Sequence, residues 1–417
     1  MIATRTMRRL DRWLGIPLCF LATGLRRLFE WRARDRAVPP QRLLFIELSE
    51  MGSAILADPA MRHARDRLGA TPYFVIFEHN RASLDLTGTV PPERTFTLST
   101  ASLGRLLRDL LRFARWCRRE RIDTCVDLEL FARCTALLGL LSGARNRVGF
   151  HRFAAEGLYR GDLLTHRVGY QPQRHMARNF LALVAALDRP ALAGPRLAVA
   201  IDDLDLTLPP AAVRPASRTR VQALLADRWP DRAARRQALV LVSPSCGAHL
   251  PQRRWPAPHF VALIERLLAA RDPVVVGLIG GAEDRPLCAG IAAALGTPRC
   301  VDLAGAVALA DLPALFEAGV LLLANDSGPA HFAATAALPS VVLFGPETPL
   351  LYRPLGDAVA LSAGLACSPC VSAYNHRVTA CRDNACMRAL DVDTVLATVT
   401  RLLDGGRRTP RLVSRSA

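Results

Sequence analysis

Residues Leu321–Pro349 read LLLANDSGPAHFAATAALPSVVLFGPETP, and two short apolar runs divide this stretch into a strand, a helix and a second strand. The first run, Leu321–Ala324, predicts a buried strand, and Asp326 or Ser327 after it is a residue type that begins helices. The second run, Val341–Phe344, predicts another strand. Two parallel strands joined by a helix deliver their polar loops to one edge of the sheet, where open α/β sheets bind ligands.

The start of the helix in this stretch has the chemistry of an anion site. Backbone N–H groups and the positive end of the helix dipole meet there, and Gly328 leaves room for an anion to approach. Ser327 and His331 add hydrogen-bond donors suited to phosphate. Plain structural roles are also open, with Asp326 as the N-cap and His331 bonded to a core carbonyl.

Strands alternate with helices along most of the chain, which predicts parallel, doubly wound α/β sheets. The runs predicted as strands are Leu43–Leu48, Tyr73–Phe77 and Thr124–Leu128 in the first half, and Ala238–Val242 and Val274–Ile279 in the second. Between the two groups, Pro190–Ser217 is rich in Pro, Ala and Asp, which indicates a boundary between two domains.

The composition is that of a globular and strongly basic protein. The 417 residues are 51% hydrophobic, which excludes disordered and fibrous chains, and the formal net charge is +17. All 54 basic residues are arginine, which indicates coding bias and weakens any inference from a single Arg. The charge favours anionic partners such as sugar nucleotides, phosphorylated glycolipids or anionic membranes. No nucleic-acid partner is expected, because the charge is spread along the chain without a nucleic-acid-binding motif.

The cysteines favour a reducing cytoplasm over a disulfide scaffold, because the eleven residues are odd in number and scattered. The last four form a cluster of Cys367, Cys370, Cys381 and Cys386. Their spacing is looser than that of typical zinc ribbons, so structural thiols are the preferred interpretation. A zinc site, with His376 or Asp383 as an additional ligand, is the alternative.

The N-terminal residues form a separate amphipathic segment. Trp13–Leu25 carries no charge, but its thirteen residues are fewer than the roughly 20 that span a bilayer, and Pro17 interrupts it. Leucines recur on one helical face and arginines lie on both sides of the run, which is typical of an interfacial helix on anionic lipid. The alternative is a helix packed on the body of the protein. A signal peptide is not expected, because basic residues follow at once.

The pattern D-S-G-P-A-H-x-A-A-x-x-x-x-P-x-V-x-L-F-G-P-x-x-P, which spans Asp326–Pro349, resembles the donor-site signature of the heptosyltransferase family, glycosyltransferase family 9. The similarity runs from about Arg42 to Leu390. It implies a GT-B fold, in which two Rossmann-like domains with doubly wound parallel sheets face a cleft. It also implies an inverting glycosyltransferase that uses ADP-heptose or a related nucleotide sugar.

With this resemblance the chain divides into five parts. They are a basic amphipathic membrane-proximal segment (1–37), an N-terminal acceptor-side domain (38–200), an interdomain linker (201–236), a C-terminal nucleotide-sugar-binding domain (237–390), and a C-terminal helix with a basic tail (391–417). The expected partners are a nucleotide-sugar donor, a glycolipid or oligosaccharide acceptor and an anionic membrane surface.

The resemblance assigns donor-site roles to several residues. The set implied by the family pattern is Asp326, Ser327, Gly328 and His331, and Asp326 is also expected among the catalytic residues. Arg253 stands where relatives often carry a lysine that contacts the donor phosphates, and its charged fork suits that task. Glu283 follows a Gly-Gly-Ala turn at the end of a predicted strand, where an acid can hold ribose hydroxyls. Arg253 and Glu283 also fit ordinary roles near the start of a helix. No metal or cofactor is expected, because Arg253, His331 and the helix dipole carry the leaving-group charge.

The loop after the first predicted strand departs from the family. Many relatives read Gly-Asp there, and that Asp is the presumed base that takes a proton from the acceptor hydroxyl. Here the loop reads Glu50-Met51-Gly52-Ser53, and a serine cannot take a proton at neutral pH without a partner. Glu50 is therefore the expected base, with Ser53 beside it in the catalytic loop, and Asp58 is expected at the surface. Another acid, or lost turnover, is the alternative.

The leading hypothesis is an inverting glycosyltransferase that transfers a heptose or similar sugar to a lipopolysaccharide or other surface-glycan acceptor. We expect it to be cytoplasmic and peripheral at the inner face of the cytoplasmic membrane. One alternative, which Ser53 motivates, is a nucleotide-sugar-binding protein with lost or altered catalysis. Another is a nucleotide-sugar epimerase on the same fold. The basic loop His151–His175 argues against the epimerase, which needs no anionic acceptor.

Overall fold

The computed structural model describes residues 4–29, 38–154, 156–191, 194–247, 250–375, 377–405 and 412–414. The chain forms two compact units, Met1–Leu206 and Thr207–Ala417. The boundary between them falls inside the range 201–236 that the sequence predicts as a linker. The later part of that range is not extended chain, because Pro215–Arg228 is a helix of the second unit.

The first unit contains a six-stranded parallel sheet. Its strands are β1 (Arg42–Ile46), β2 (Thr71–Phe77), β3 (Thr95–Leu98), β4 (Thr124–Asp127), β5 (Asn146–Phe150) and β6 (His166–Val168). Its helices are α1 (Thr4–Trp13), α2 (Gly15–Phe29), α3 (Met51–Leu56), α4 (Asp58–Leu68), α5 (Leu103–Arg119), α6 (Arg133–Leu141) and α7 (Met176–Ala185). The strand order β3-β2-β1-β4-β5-β6 reverses between β1 and β4, as in Rossmann-like sheets.

The second unit contains a seven-stranded parallel sheet with the order β13-β12-β11-β10-β7-β8-β9. Its strands are β7 (Ala238–Ser243), β8 (Val274–Leu278), β9 (Cys300–Asp302), β10 (Leu321–Asn325), β11 (Ser340–Phe344), β12 (Ala358–Ser362) and β13 (Leu412–Ser414). Its helices are α8 (Pro215–Arg228), α9 (Ala257–Ala270), α10 (Arg285–Leu295), α11 (Leu312–Ala318), α12 (Gly328–Ala334), α13 (Pro349–Tyr352), α14 (Ala385–Arg388) and α15 (Val392–Leu403). The prediction of two Rossmann-like α/β domains is confirmed.

The core of the second unit ties the segment before α9 to the end of β10. Trp255 is fully buried, and its indole N–H donates to the Leu390 carbonyl at 2.9 Å. The backbone N–H of Trp255 donates to the side-chain oxygen of Asn325 at 3.0 Å. Buried polar groups are costly without partners, so these bonds hold the end of β10 against the core.

Helices α5 and α6 cover the same side of the first sheet. Phe113 and Trp116 of α5 and Leu138 of α6 belong to one hydrophobic cluster. The strand residues of that cluster include Leu44 and Val75. Because successive side chains of a strand point to opposite faces, a shared cluster places both helices on one face.

The N-terminal helices α1 and α2 pack on α6 through one face and expose the other. Cys19 of α2 is buried against Ala136 and Leu163. The large apolar residues that remain exposed on the pair include Trp13, Leu14, Leu18, Phe20, Leu21, Leu25 and Leu28. The segment is therefore both packed on the body and amphipathic. In the ranges that the structure describes, no helix is long and apolar enough to cross a membrane.

Asp11 of α1 caps α6 from a distant part of the chain. Its carboxylate accepts the backbone N–H bonds of Arg133 and Cys134 at 3.0 and 2.8 Å, and pairs with the Arg133 guanidinium at 3.3 Å. Ala132, at the N-cap position, offers no side-chain cap. A carboxylate at a helix start is favoured by the helix dipole, so this contact stabilises both α1 and α6.

Asp127, the last residue of β4, forms a buried ion pair with Arg160 that can be tested by substitution. Both side chains are only 2% exposed. Arg160→Met leaves a buried carboxylate without its partner, so we expect the free energy of unfolding to fall by about 3–5 kcal/mol. In the control Arg27→Met, whose pair with Asp162 is at the surface, we expect less than about 1 kcal/mol. Urea unfolding followed by circular dichroism measures both changes, and equal losses would contradict this account.

Candidate functional site

The candidate donor site lies at the carboxyl edge of the second sheet, where β10, β7 and β8 are neighbours. Asn325 ends β10, and its side-chain amide donates to the Pro244 carbonyl, in the loop after β7, at 2.8 Å. The oxygen of the same amide accepts the backbone N–H of Trp255. One buried side chain therefore joins the end of β10 to the connection between β7 and α9, and all predicted donor residues except Glu283 lie in or next to these two segments.

Asp326 and Arg253 form an ion pair within this group. A carboxylate oxygen of Asp326 is 3.5 Å from one terminal nitrogen of the Arg253 guanidinium, and the other nitrogen donates to the Cys246 carbonyl at 3.0 Å. The side chains are only 6% and 15% exposed, respectively. The arginine offsets the charge of Asp326, so an anionic ligand does not meet an isolated carboxylate there.

Ser327, and not Asp326, occupies the N-cap position of α12. The Ser327 hydroxyl donates to the Asn325 carbonyl at 3.1 Å and makes no cap bond to the helix. The Ser327 side chain therefore does not cap the first backbone N–H groups of α12. Gly328 begins the helix beside Phe332, whose ring would lie 3.2 Å from an added Cβ. A side chain at this position would crowd that ring.

The two remaining donor candidates differ in their surroundings. His331 lies in the short helix α12 and is 6% exposed. Glu283 is exposed in the turn after β8, and β7 separates β8 from β10, so the structure does not bring Glu283 to Asp326.

Asp284, which the sequence does not single out, connects the turn after β8 to the loop after β7. It accepts hydrogen bonds from the Ser245 hydroxyl and, at 2.9 Å, from the Gly281 N–H. In the sequence, the only feature that could have indicated Asp284 is the Gly280-Gly281 pair before it, and this pair indicates Glu283 equally well.

Four carboxyl groups gather where β1 and β4, neighbours in the first sheet, end. They are Glu47, Glu50, Asp127 and Glu129. Burial, followed by repulsion from Glu129 and Glu50, holds the pKa of Glu47 well above its usual range. Burial also raises the pKa of Glu129, although this carboxyl accepts the backbone N–H bonds of Leu48 and Ser49, both at 3.1 Å. Glu47 and Glu129 therefore bind protons more readily than ordinary glutamates.

Ser53 is a hydrogen-bond partner of Glu50. Its hydroxyl donates to the Glu50 carboxylate at 3.0 Å. Glu50 holds the N-cap position of α3 but makes no side-chain cap bond to the helix. The two residues that the sequence assigns to the catalytic loop are thus brought together, with the carboxylate as the hydrogen-bond acceptor of the pair.

The expectation that Asp58 lies at the surface is wrong. Its side chain is fully buried, pairs with Arg62 at 2.9 Å and accepts a hydrogen bond from the Thr89 hydroxyl. The expectation treated Asp58 as a residue on an exposed side of the helix. Every residue from Ser53 to Met61 is instead buried, and Arg62 and Thr89 supply the partners that the buried carboxylate needs.

The late cysteine cluster is held by ordinary hydrogen bonds in the structure. The Sγ of Cys370 is 3.3 Å from the Thr379 hydroxyl, and the Sγ of Cys381 accepts the Asn384 N–H at 3.3 Å. Among the described residues, no group of three or more His, Cys, Asp or Glu side chains could hold a metal ion. His376, named above as a possible ligand, lies outside the described residues.

Comparison with known proteins identifies relatives of the chain. The sequence profile of Glycosyltransferase family 9 (heptosyltransferase) matches residues 110–378. Lipooligosaccharide heptosyltransferase 2 of Haemophilus influenzae is 34% identical over 114 residues, which cover 27% of this chain and 32% of that protein. Lipopolysaccharide heptosyltransferase 2 of Escherichia coli is 37% identical over 108 residues, covering 25% and 30%. The matched part thus spans about a third of the length of these curated relatives.

Solved structures agree on the fold. A glycosyl transferase family 9 protein from Veillonella parvula has a TM-score of 0.69 at 17% identity, covering 89% of this chain and 99% of its own. The Escherichia coli ADP-heptose LPS heptosyltransferase II has a TM-score of 0.65 at 21% identity, covering 88% and 99%. These likenesses support the GT-B class that the donor motif implies. Because the family profile matches more than half of the chain, the protein belongs to glycosyltransferase family 9, the heptosyltransferase family.

Proposed function

We propose that this chain is an inverting glycosyltransferase that moves a heptose or similar sugar from a nucleotide-diphosphate donor to a lipopolysaccharide or other surface-glycan acceptor. Family membership and the names of the relatives support this reaction class, and a donor of the ADP-heptose kind. The observation that carries the proposal is the Arg253–Asp326 ion pair next to the start of α12, where the Ser327 hydroxyl makes no cap bond to the helix.

The donor diphosphate, in this proposal, lies against the start of α12. The Arg253 guanidinium is always charged and balances the phosphates. The Ser327 hydroxyl and the backbone N–H groups at the helix start bind phosphate oxygens, and Gly328 allows close approach. His331 donates a further hydrogen bond to the leaving group. These groups stabilise the charge that develops as the sugar leaves, so the step does not call for a metal ion.

Glu50 is the proposed base. It takes the proton of the acceptor hydroxyl while that oxygen bonds to the anomeric carbon and the bond to the diphosphate breaks on the opposite side, which inverts the carbon. The hydrogen bond from Ser53 orients the Glu50 carboxylate.

A nucleotide-sugar-binding protein without catalysis is the second candidate, because Ser53 stands where relatives have an acid. The hydrogen bond between Ser53 and Glu50 supports catalysis over this alternative, since it puts a carboxylate in the same loop. The family match does not favour the epimerase.

We also propose that the protein is peripheral at the inner face of the cytoplasmic membrane. The support is the exposed apolar face of α1 and α2. Its large apolar side chains form one group, unlike the single exposed leucines that are normal on a protein surface. Exposed arginines on the same helices are Arg8, Arg9, Arg12 and Arg27. Apolar side chains flanked by arginines suit an anionic lipid surface.

The donor site is tested by Arg253→Ala, Asp326→Ala and His331→Ala. We expect each to lower sugar transfer by about 100-fold, because each removes a group that positions or neutralises the diphosphate. Arg253→Lys should keep part of the activity, since it retains the charge but reaches only one of the two acceptors of Arg253.

Donor binding is measured by thermal unfolding, in which ADP-sugars protect the folded protein that binds them. The control Arg218→Ala, at an exposed ion pair, should behave as wild type, and normal turnover in all three donor-site variants would reject the assignment.

The base is tested by Glu50→Gln, which keeps size and hydrogen bonding but removes basicity. We expect turnover to fall by about 100-fold or more while nucleotide-sugar affinity stays unchanged. Ser53→Ala should have a smaller effect, because it removes only an orienting bond. Glu93→Gln, an exposed acid of the same unit, is the control. Normal turnover of Glu50→Gln would remove Glu50 from the mechanism, and a large loss of donor affinity would make it a structural residue.

The membrane face is tested with the triple variant Phe20→Gln, Leu21→Gln and Leu25→Gln, whose positions are 58–69% exposed. Substitution leaves the packed face of α2 intact, whereas truncation would uncover Ala136 and Leu163. We expect affinity for phosphatidylcholine–phosphatidylglycerol vesicles to fall by about tenfold or more, because three apolar side chains no longer enter the lipid. Leu350→Gln, in the second unit, is the control, and undiminished vesicle binding by the triple variant would place the contact elsewhere.

A further inference from the structure

Helix α5 of the first unit carries two exposed rows of side chains that its packing does not use. Its buried side, which includes Phe113, Trp116 and Cys117, faces the core. Five of its exposed arginines follow one another three and four residues apart, namely Arg105, Arg108, Arg112, Arg115 and Arg119. The exposed leucines, four residues apart, are Leu103, Leu107 and Leu111. We call these the arginine row and the leucine row.

The arginine row lines a groove of about 750 Å³ beside the edge strand β3. The other polar residues that line this groove are Glu78, Thr95, Thr97, Ser99 and Asp109. Asp109 pairs with Arg112 at 3.2 Å. Arg119 pairs with its neighbour Glu120 at 3.0 Å. The other three arginines form no ion pair with the residues that the structure describes, so positive charge is in excess along the groove.

The leucine row indicates what kind of anion the groove meets. Its three side chains are 55–60% exposed and follow the helix next to the arginine row. A dissolved phosphate compound would gain nothing from these leucines. An interfacial helix, in contrast, buries its leucines at the acyl boundary while its arginines hold the headgroup phosphates.

The two rows belong to the same side of the first sheet as the N-terminal helices. Phe113 of α5 and Leu138 of α6 share one core cluster. Helix α2 packs on α6 through Cys19 and Ala136. Two separate surfaces that are both apolar and basic therefore lie on one side of this domain.

We propose that α5 is a second contact with the anionic bilayer, in which the groove binds lipid headgroup phosphates and the leucine row enters the interfacial layer. The proposal rests on the membrane location proposed above and extends it from the N-terminal helices to α5. A single helix pair leaves a domain free to rotate about its attachment, whereas two contacts fix how the domain faces the lipid.

Flotation of the full-length protein with vesicles tests the proposal. One variant combines Arg105→Gln, Arg108→Gln and Arg115→Gln, and the other combines Leu103→Gln, Leu107→Gln and Leu111→Gln. Glutamine keeps helix propensity close to that of the residues replaced. We expect each variant to lose about tenfold or more of the affinity for vesicles that contain phosphatidylglycerol. On phosphatidylcholine alone, the arginine variant should match wild type, because no headgroup there carries a net charge.

A charge-matched control removes three exposed arginines of the second unit, through Arg228→Gln, Arg235→Gln and Arg401→Gln. It should retain the wild-type affinity. Nucleotide-sugar binding is measured in parallel, so a failure of the proposed catalytic function is seen independently of lipid binding. Equal affinity of wild type and both α5 variants would overturn the proposal, as would an equal loss in the control. Normal binding by the leucine variant, with displacement of the wild type by glycerol phosphate, would assign the groove to a dissolved anion and also overturn it.

Discussion

The side-chain amide of Asn325 is the interaction on which the candidate donor site depends. It is fully buried and bonds to the backbone of Pro244 and Trp255, which lie 81 and 70 positions earlier in the sequence. A buried amide that loses such partners costs about 1–3 kcal/mol for each group left unpaired. Asp326 follows Asn325 directly and Arg253 precedes Trp255 by two residues. The uncharged side chain of Asn325 therefore sets the distance between Asp326 and Arg253.

The strands that end at this edge could be predicted, because the sequence features that indicate them lie within the strands and the turns beside them. The runs Leu321–Ala324 and Val341–Phe344 differ by one residue from β10 and β11, since apolar runs bounded by turn residues define buried strands. The pairing of Arg253 with Asp326, which are 73 positions apart, has no local signal. Only the family pattern indicated that both face the same ligand.

The carboxyl cluster of the first unit could not be predicted in the same way. Glu47 and Glu129 each follow an apolar strand, but their proximity depends on β1 and β4 being neighbours, which is a property of the sheet order. The burial of Asp58 could not be predicted either, because it depends on Thr89, a partner 31 positions away, and on packing that covers the whole segment from Ser53 to Met61. Each case involves a relation between elements, whereas propensity and periodicity describe single elements.

The cap that Asp11 provides to α6 has a mechanical consequence. Helix α6 begins directly after the loop that carries Glu129, and its first two N–H groups are held by a carboxylate on α1. The start of α6, and with it the end of the loop that carries Glu129, is therefore anchored to a residue that lies more than a hundred positions earlier in the chain.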